Sequence, residues 1–307
     1  MYPLKFHIID KPKVWGSERW LISGYGDDVS VVENGYLAGN DLNDLLETYM
    51  DELVGGNIYQ LYGDMFPLLI KWIDAKDDLS IQVHPDDMAA AELEQSGKTE
   101  MWYVTRSNNG SVIAGWANDT DENSVRQALS HNTLLDNLQL VDVKPNDVIF
   151  IPAGEVHSLR HGTQVIEIQQ SCDITYRLFD YNRLGQDGKP RELHIDEALT
   201  VMDYNHNEQP LTPYQCNLNQ AANLVQDEHF ITNKICFNRT IGRDYAALDS
   251  FVIYVAIEGT CEVRWENQPK EEQLIIHPNE AVLIPASLDD IQLIPTGEVA
   301  LLETYIV

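Results

Sequence analysis

The chain has 307 residues, 44% of them apolar, which suits one large or two small packed domains. Its 49 acidic residues against 20 basic ones give a net charge of −29, which argues against a nucleic-acid partner because the phosphates would be repelled. The N-terminus lacks an apolar signal core and no apolar run approaches the ~20 residues of a membrane span, so a soluble, cytoplasmic protein is expected.

The first element the pattern predicts is a helix over about Leu42 to Val54, with Leu42, Leu45, Leu46, Tyr49 and Leu53 at helical spacing. Ser80-Ile81-Gln82-Val83-His84 then alternates as a strand, so Ser80, Gln82 and His84 share a face. A short helix near Met88 to Glu94 separates it from Gly97-Lys98-Thr99-Glu100-Met101-Trp102-Tyr103-Val104, where Lys98 and Glu100 share a face in turn. Helical spacing returns near Asp121 to Leu138. The apolar run Val148-Ile149-Phe150-Ile151 leads into Pro152-Ala153-Gly154-Glu155-Val156-His157. Val165-Ile166-Glu167-Ile168-Gln169 is a strand with one charge among apolar neighbours. A last helix, about Asp196 to Asp203, precedes the polar stretch Asn205 to Glu228, which reads equally as a linker or as a loop packed on the first half. The remaining strands are short and divided by Gly, Asn, Asp and Pro, as in antiparallel β proteins. Cys172, Cys216, Cys236 and Cys261 form no CxxC pair and read as reduced, buried thiols.

The sequence repeats itself. Lys144 to His157 aligns without a gap to His277 to Asp290, and Tyr103-Val104 pairs with Tyr254-Val255. In the second copy Gly154 becomes Ser287 and His157 becomes Asp290. The expectation is a mainly β protein of two barrels of common design. Residues 1–230 would form a metal-binding catalytic barrel with helical insertions in and around it; residues 231–307 would form a smaller one without metal ligands.

Gln82, His84, Glu100 and His157 offer one amide oxygen, two imidazoles and one carboxylate, donor types that suit Zn²⁺ or a similar divalent ion. Each alone has a plainer reading, a structural histidine or a solvated carboxylate. Their context adds the signal: Pro-x-Gly-x-x-His after an apolar strand resembles the second half of a cupin motif, and Gln82-x-His84 resembles a variant of the first half.

Several motifs in order are similar to type I mannose-6-phosphate isomerases, short bacterial branch. They are Val14-Trp15-Gly16-Ser17-Glu18, Pro67 through Ala75, Leu79 through Asp87, Gly97 through Tyr103, Pro152 through His157, and Gln169 through Tyr181. The resemblance implies two jelly-roll-like cupin barrels and an enzyme holding one Zn²⁺ per chain on Gln82, His84, Glu100 and His157. Its reaction would interconvert mannose 6-phosphate and fructose 6-phosphate through an enediol. It also implies active-site roles for Arg177, Lys98 and the pocket carboxylate Glu167.

The chemistry demands matching groups. A base must take a weakly acidic C–H proton, and a Lewis acid must stabilise the oxyanion that develops. Lys98 and Glu167 compete for the proton transfer; Glu167 reads equally as the ion-pair partner of Arg177. Ser80, Lys98, Arg177 and Arg183 are candidates for binding a phosphorylated hexose, with Trp15 as a wall of the sugar pocket. The plainer readings are a buried strand serine, cations paired with the abundant carboxylates, and a core tryptophan. An iron-dependent cupin oxygenase and a non-catalytic sugar-phosphate-binding cupin are the alternative functions. As oligomer, a monomer or homodimer is expected.

Overall fold

The computed structural model describes residues 1–185, 187–267 and 270–307. It is mainly β, as the sequence predicts, but its strands form open sheets instead of closed barrels. The chain divides into two compact units interleaved in sequence. One comprises residues 10–20 and 69–212; the other comprises residues 1–9, 21–68 and 213–307. A single cut near residue 230 does not separate them.

The strands in chain order begin with β1 (Ile9–Lys13), β2 (Gly16–Ile22) and the small hairpin β3 (Gly24–Tyr25) and β4 (Asp28–Val29). They continue as β5 (Leu68–Ala75), β6 (Ile81–Val83), β7 (Glu100–Ser107), β8 (Ser111–Trp116), β9 (Leu138–Asp142), β10 (Val148–Ile151), β11 (His157–Leu159), β12 (Thr163–Gln170) and β13 (Tyr176–Phe179). The first unit holds two sheets, ordered β1-β2-β5-β12-β7-β10 and β13-β6-β11-β8-β9. Strands β5 and β12 lie inside their sheet and are buried almost throughout; β5 accordingly reads as a nearly continuous apolar run, whereas β12 buries Glu167, Gln169 and Gln170 beside its apolar residues. Residues of both sheets, among them Ile73, Trp102, Val104, Ile149, Val112, Ala114 and Leu159, share one core cluster. The alternate residues Ile81, Val83, Ile113 and Trp116 form a second cluster with helical Val125, Ala198 and Leu199.

The helices show where local signals win. Helix α1 (Leu42–Tyr49) starts on an Asp41 cap, whose carboxylate accepts the Asp44 N–H. It stops at Met50, which takes φ 45°, before α2 (Asp51–Val54) and α3 (Gly56–Tyr62). The predicted helix 42–54 is therefore broken. The break lets the carbonyls of Glu52, Leu53 and Val54 accept N–H groups of Ser287, Ala286 and Phe251. All three helices belong with the second unit, not around the first. Helix α4 (Asp87–Ala91) is capped by Asp86 and shorter than predicted. Helix α5 (Glu122–His131) ends on left-handed Asn132, so the predicted 121–138 stretch closes as a separate short turn. Helix α6 spans Ile195–Val201.

The polar stretch after Asn205 has two fates. Leu211 packs on the first unit's core and the Thr212 N–H bonds Val148 O, whereas residues from 213 onward belong to the second unit. That unit adds β14 (Gln220–Gln226), β15 (Ile231–Phe237), β16 (Ile241–Asp244), β17 (Val252–Asn267), β18 (Lys270–Ile276), β19 (Ala281–Ile284) and β20 (Asp290–Tyr305). Its main path runs β14-β15-β20-β17-β18.

The repeat is real, with a shift of one residue. Val148 faces Tyr103, and its counterpart Ala281 faces Val255. Tyr254 thus corresponds to Trp102, Val252 to Glu100, and Glu303 to Glu167, since Trp102 faces Glu167 as Tyr254 faces Glu303. The second copy has lost two of the candidate ligands, with Val252 and Asp290 standing for Glu100 and His157.

A candidate metal centre

Three strands and two turns bring the ligands together within the first unit. Gln82 lies on β6 between buried Ile81 and Val83, and His84 follows the strand. His157 opens β11 directly opposite Gln82, and Arg177 on β13 lies opposite Gln82 from the other side. Cross-strand partners share a face, so His157, Gln82 and Arg177 form one row. Glu100 opens β7 in the other sheet, opposite Ile151 and Gln169. Gly154, at φ +88°, makes the turn before His157; its N–H donates to His84 O, and a Cβ there would meet Val201 O at 3.0 Å.

His84, Glu100 and His157 are buried, and their donor atoms lie within 4.8 Å of one another. The two Nε2 atoms are 3.1 Å apart, and Glu100 stands 3.6 Å from His84 and 3.5 Å from His157. Each Nδ1 faces a backbone carbonyl, Ile174 O at 2.7 Å and Glu155 O at 2.8 Å. Those carbonyls require the proton on Nδ1, which leaves both Nε2 lone pairs aimed at the same space. Burial, with Lys98 nearby, holds both imidazoles neutral: His84 titrates well below its usual value and His157 is pushed down to about 4. Glu100 Oε2 is buried without a hydrogen bond; Lys98 Nζ reaches it at 3.1 Å only as a charge contact. Converging lone pairs and an orphaned carboxylate oxygen, shut off from water, fit a divalent cation.

Gln82 sits at the rim. Its Nε2 is 3.3 Å from His157 Nε2, and its Oε1 accepts from Ser80 Oγ at 3.2 Å. A half-turn of the amide would present the oxygen to the cluster and let Ser80 accept instead. Ser80 is thus buried beside the cluster on the predicted face.

The basic residues separate. Lys98 Nζ lies 3.1 Å from both His84 Nε2 and Glu100 Oε2. Burial is the largest influence and would lower its pKa, but Glu100 together with Glu167 and Asp173 raises it. Arg177 has a buried Nε without a hydrogen bond, and burial with neighbouring Arg191 lowers its pKa. It lines a cavity of about 790 Å³ together with Lys11, Lys13, Lys189 and Arg191, against the acidic Asp187 and Glu192. Arg183 is committed elsewhere: its guanidinium pairs with buried Asp180 at 2.7 Å and reaches Asp77 at 3.7 Å. Trp15, 5% exposed, is a core residue among Ile73, Ala75 and Trp102.

Glu167 is buried, but its partner is not Arg177. It accepts from Trp102 Nε1 at 2.8 Å and pairs with Lys71 Nζ at 3.2 Å. Lys71 went unnoticed in the sequence. It is almost fully buried, donates to Gln169 Oε1 at 2.7 Å, and faces Asp173 at 3.6 Å. Burial opposes its charge, yet Glu167 and Asp173 prevail and raise its pKa. The available signal was one charge inside the apolar run Leu68–Ile73.

Residues 4–114 match a family model described as phosphomannose isomerase type I, catalytic domain. That range contains Gln82, His84 and Glu100, while His157 and Arg177 lie beyond it. Mannose-6-phosphate isomerase ManA of Bacillus subtilis is 36% identical over 66% of this chain and 68% of its own length. YvyI of the same organism is 31% identical over 94% of each chain. Among solved structures, the mannose 6-phosphate isomerase from Bacillus subtilis superimposes over the whole of both chains with TM-score 0.89 at 28% identity. A variant of phosphomannose isomerase from Salmonella typhimurium gives TM-score 0.77 at 14% identity, a likeness of fold.

Proposed function

The chain belongs to the type I mannose-6-phosphate isomerase family, and on that premise we propose that it interconverts mannose 6-phosphate and fructose 6-phosphate with one bound Zn²⁺, as a cytoplasmic enzyme. The observation that carries the reading is the buried His84–Glu100–His157 cluster, whose His157 lies in one row with Gln82 and Arg177. His84, Glu100 and His157 would hold the ion, with Gln82 as a fourth donor. When bound, the ion supplies a Lewis acid for the hydroxyl and carbonyl oxygens at C1 and C2.

The remaining roles fall to the chain's own groups. Arg177 joins the ligand row to the basic cavity, so it is placed to hold the anionic end of the substrate while the sugar's reacting end lies at the cluster. Lys98 is the proton-handling group that faces the cluster directly. Glu167 is closed in by Trp102 and Lys71, and the second copy keeps a buried glutamate, Glu303, without the ligands. Its role is therefore to position Lys71 and Trp102. Ser80 orients the Gln82 amide.

The test is turnover of mannose 6-phosphate to fructose 6-phosphate, run beside unphosphorylated mannose and in the absence of oxygen. Turnover confined to the phosphorylated hexose and indifferent to oxygen is expected. Binding without turnover in a metal-loaded sample would reject the isomerase in favour of a binding module, and a requirement for oxygen would reject it in favour of an oxygenase.

A further inference from the structure

Cys216 and Cys236 lie in the second unit, whereas the ligands and the basic residues assigned above belong to the first. Their Sγ atoms are 2.9 Å apart. That is well inside ordinary contact between two non-bonded sulfurs. Neither thiol is buried, contrary to the sequence expectation, whereas Cys172 and Cys261 are. Backbone pairing fixes the approach. Cys236 is on β15, its carbonyl accepts the Asn219 N–H, and both Leu218 and Gln220 pair with it. The segment carrying Cys216 is thus laid along β15 by hydrogen bonds that do not depend on sulfur.

We propose that Cys216 and Cys236 are a redox modification site, converted to an intrachain disulfide by hydrogen peroxide and restored by thiols. Cys216, flanked by exposed Gln215 and Asn217, is the sulfur reached first from solvent. Burial and the neighbouring Cys216 push the Cys236 thiol up to about 12, which makes it the poorer first nucleophile. The Cys216 thiolate attacks one peroxide oxygen, forming S–O while O–O breaks, and gives a sulfenic acid and water. Cys236 then attacks the sulfenic sulfur, forming S–S while S–O breaks, and releases a second water. Two thiols lose two electrons and two protons, and the peroxide takes both. The bond fastens the segment leading into β14 onto β15 and so restricts the unfolded chain.

The test is oxidation of the reduced full-length protein with hydrogen peroxide, then unfolding, alkylation with N-ethylmaleimide, intact mass and peptide mapping. Two of the four thiols should become unreactive, the mass should fall by two hydrogens, and one linked peptide should join Cys216 to Cys236. Dithiothreitol should reverse all three changes. The oxidised protein should melt at a higher temperature than the reduced one, and Cys216→Ser or Cys236→Ser should abolish that difference without loss of folding. Four alkylated thiols after oxidation, links only between chains, or links through Cys172 or Cys261 would each overturn the proposal.

Discussion

His84 and His157 turn their Nε2 atoms toward each other at 3.1 Å while backbone carbonyls hold both Nδ1 atoms. Two lone pairs so placed repel, and burial forbids relief by protonation. A cation seated among the nitrogens and Glu100 would relieve that repulsion.

His157→Ala removes one imidazole and leaves a space beside Trp102. Bound metal should fall below stoichiometric amounts, and turnover should drop by at least ~100-fold, because the Lewis acid is lost with its ligand. Far-ultraviolet circular dichroism should be unchanged. Stoichiometric metal in this variant would take His157 out of the ligand set.

Lys98→Ala and Glu167→Gln should fail in different ways. The first should lower kcat by roughly 10²–10⁴-fold, the range for loss of a general acid or base, with metal retained. The second leaves buried Lys71 short of one charge partner, so its larger effect should be on thermal stability, of order 2–3 kcal/mol. Calorimetry and steady-state kinetics on the pair decide the assignment; a larger kcat loss in Glu167→Gln would reverse it.

On the proposed role of its guanidinium at the anionic end of the substrate, Arg177→Ala should cost ~100-fold or more in kcat/KM for mannose 6-phosphate while metal stays bound. Unchanged kinetics would remove it from the site. Arg183→Ala, by contrast, breaks an ion pair with Asp180 and should mainly shift the melting temperature.

Glu155 supplies a pH signature. Burial, reinforced by Asp203, raises its pKa from 4.5 to about 7, with the Asn207 hydrogen bond opposing. The folded state therefore holds a proton that the unfolded chain releases, so this contribution is full below about pH 4.5 and is lost as pH rises through 7. The loss is about 3 kcal/mol at most. Glu155→Gln should melt higher than the parent at pH 8.5 and close to it at pH 4.5. An equal offset at both pH values would show that the carboxyl does not titrate there.

Much of this was legible in the sequence because strands alternate and ligands sit in short motifs. The row of Gln82 and His157, the Glu100 carboxylate and the repeat of 144–157 all lie in local patterns. Non-local facts were not legible. Met50 breaks its helix without Gly or Pro, because three carbonyls beyond it accept from the distant loop residues Phe251, Ala286 and Ser287. Tyr254 matches Tyr103 by letter but Trp102 by pairing, and register is set by hydrogen bonds across the sheet. Segment 21–68 joins the second unit through contacts far along the chain. Trp15 and Arg183 followed their plainer readings, because apolar neighbours and a nearby aspartate claimed them first.

The most direct measurement is a metal titration of the chelated protein with mannose 6-phosphate turnover recorded at each addition. Activity should be absent after chelation and return in proportion to Zn²⁺, saturating at one ion per chain. Turnover that survives complete removal of metal, or that fails to return at one bound Zn²⁺ per folded chain, would contradict the account.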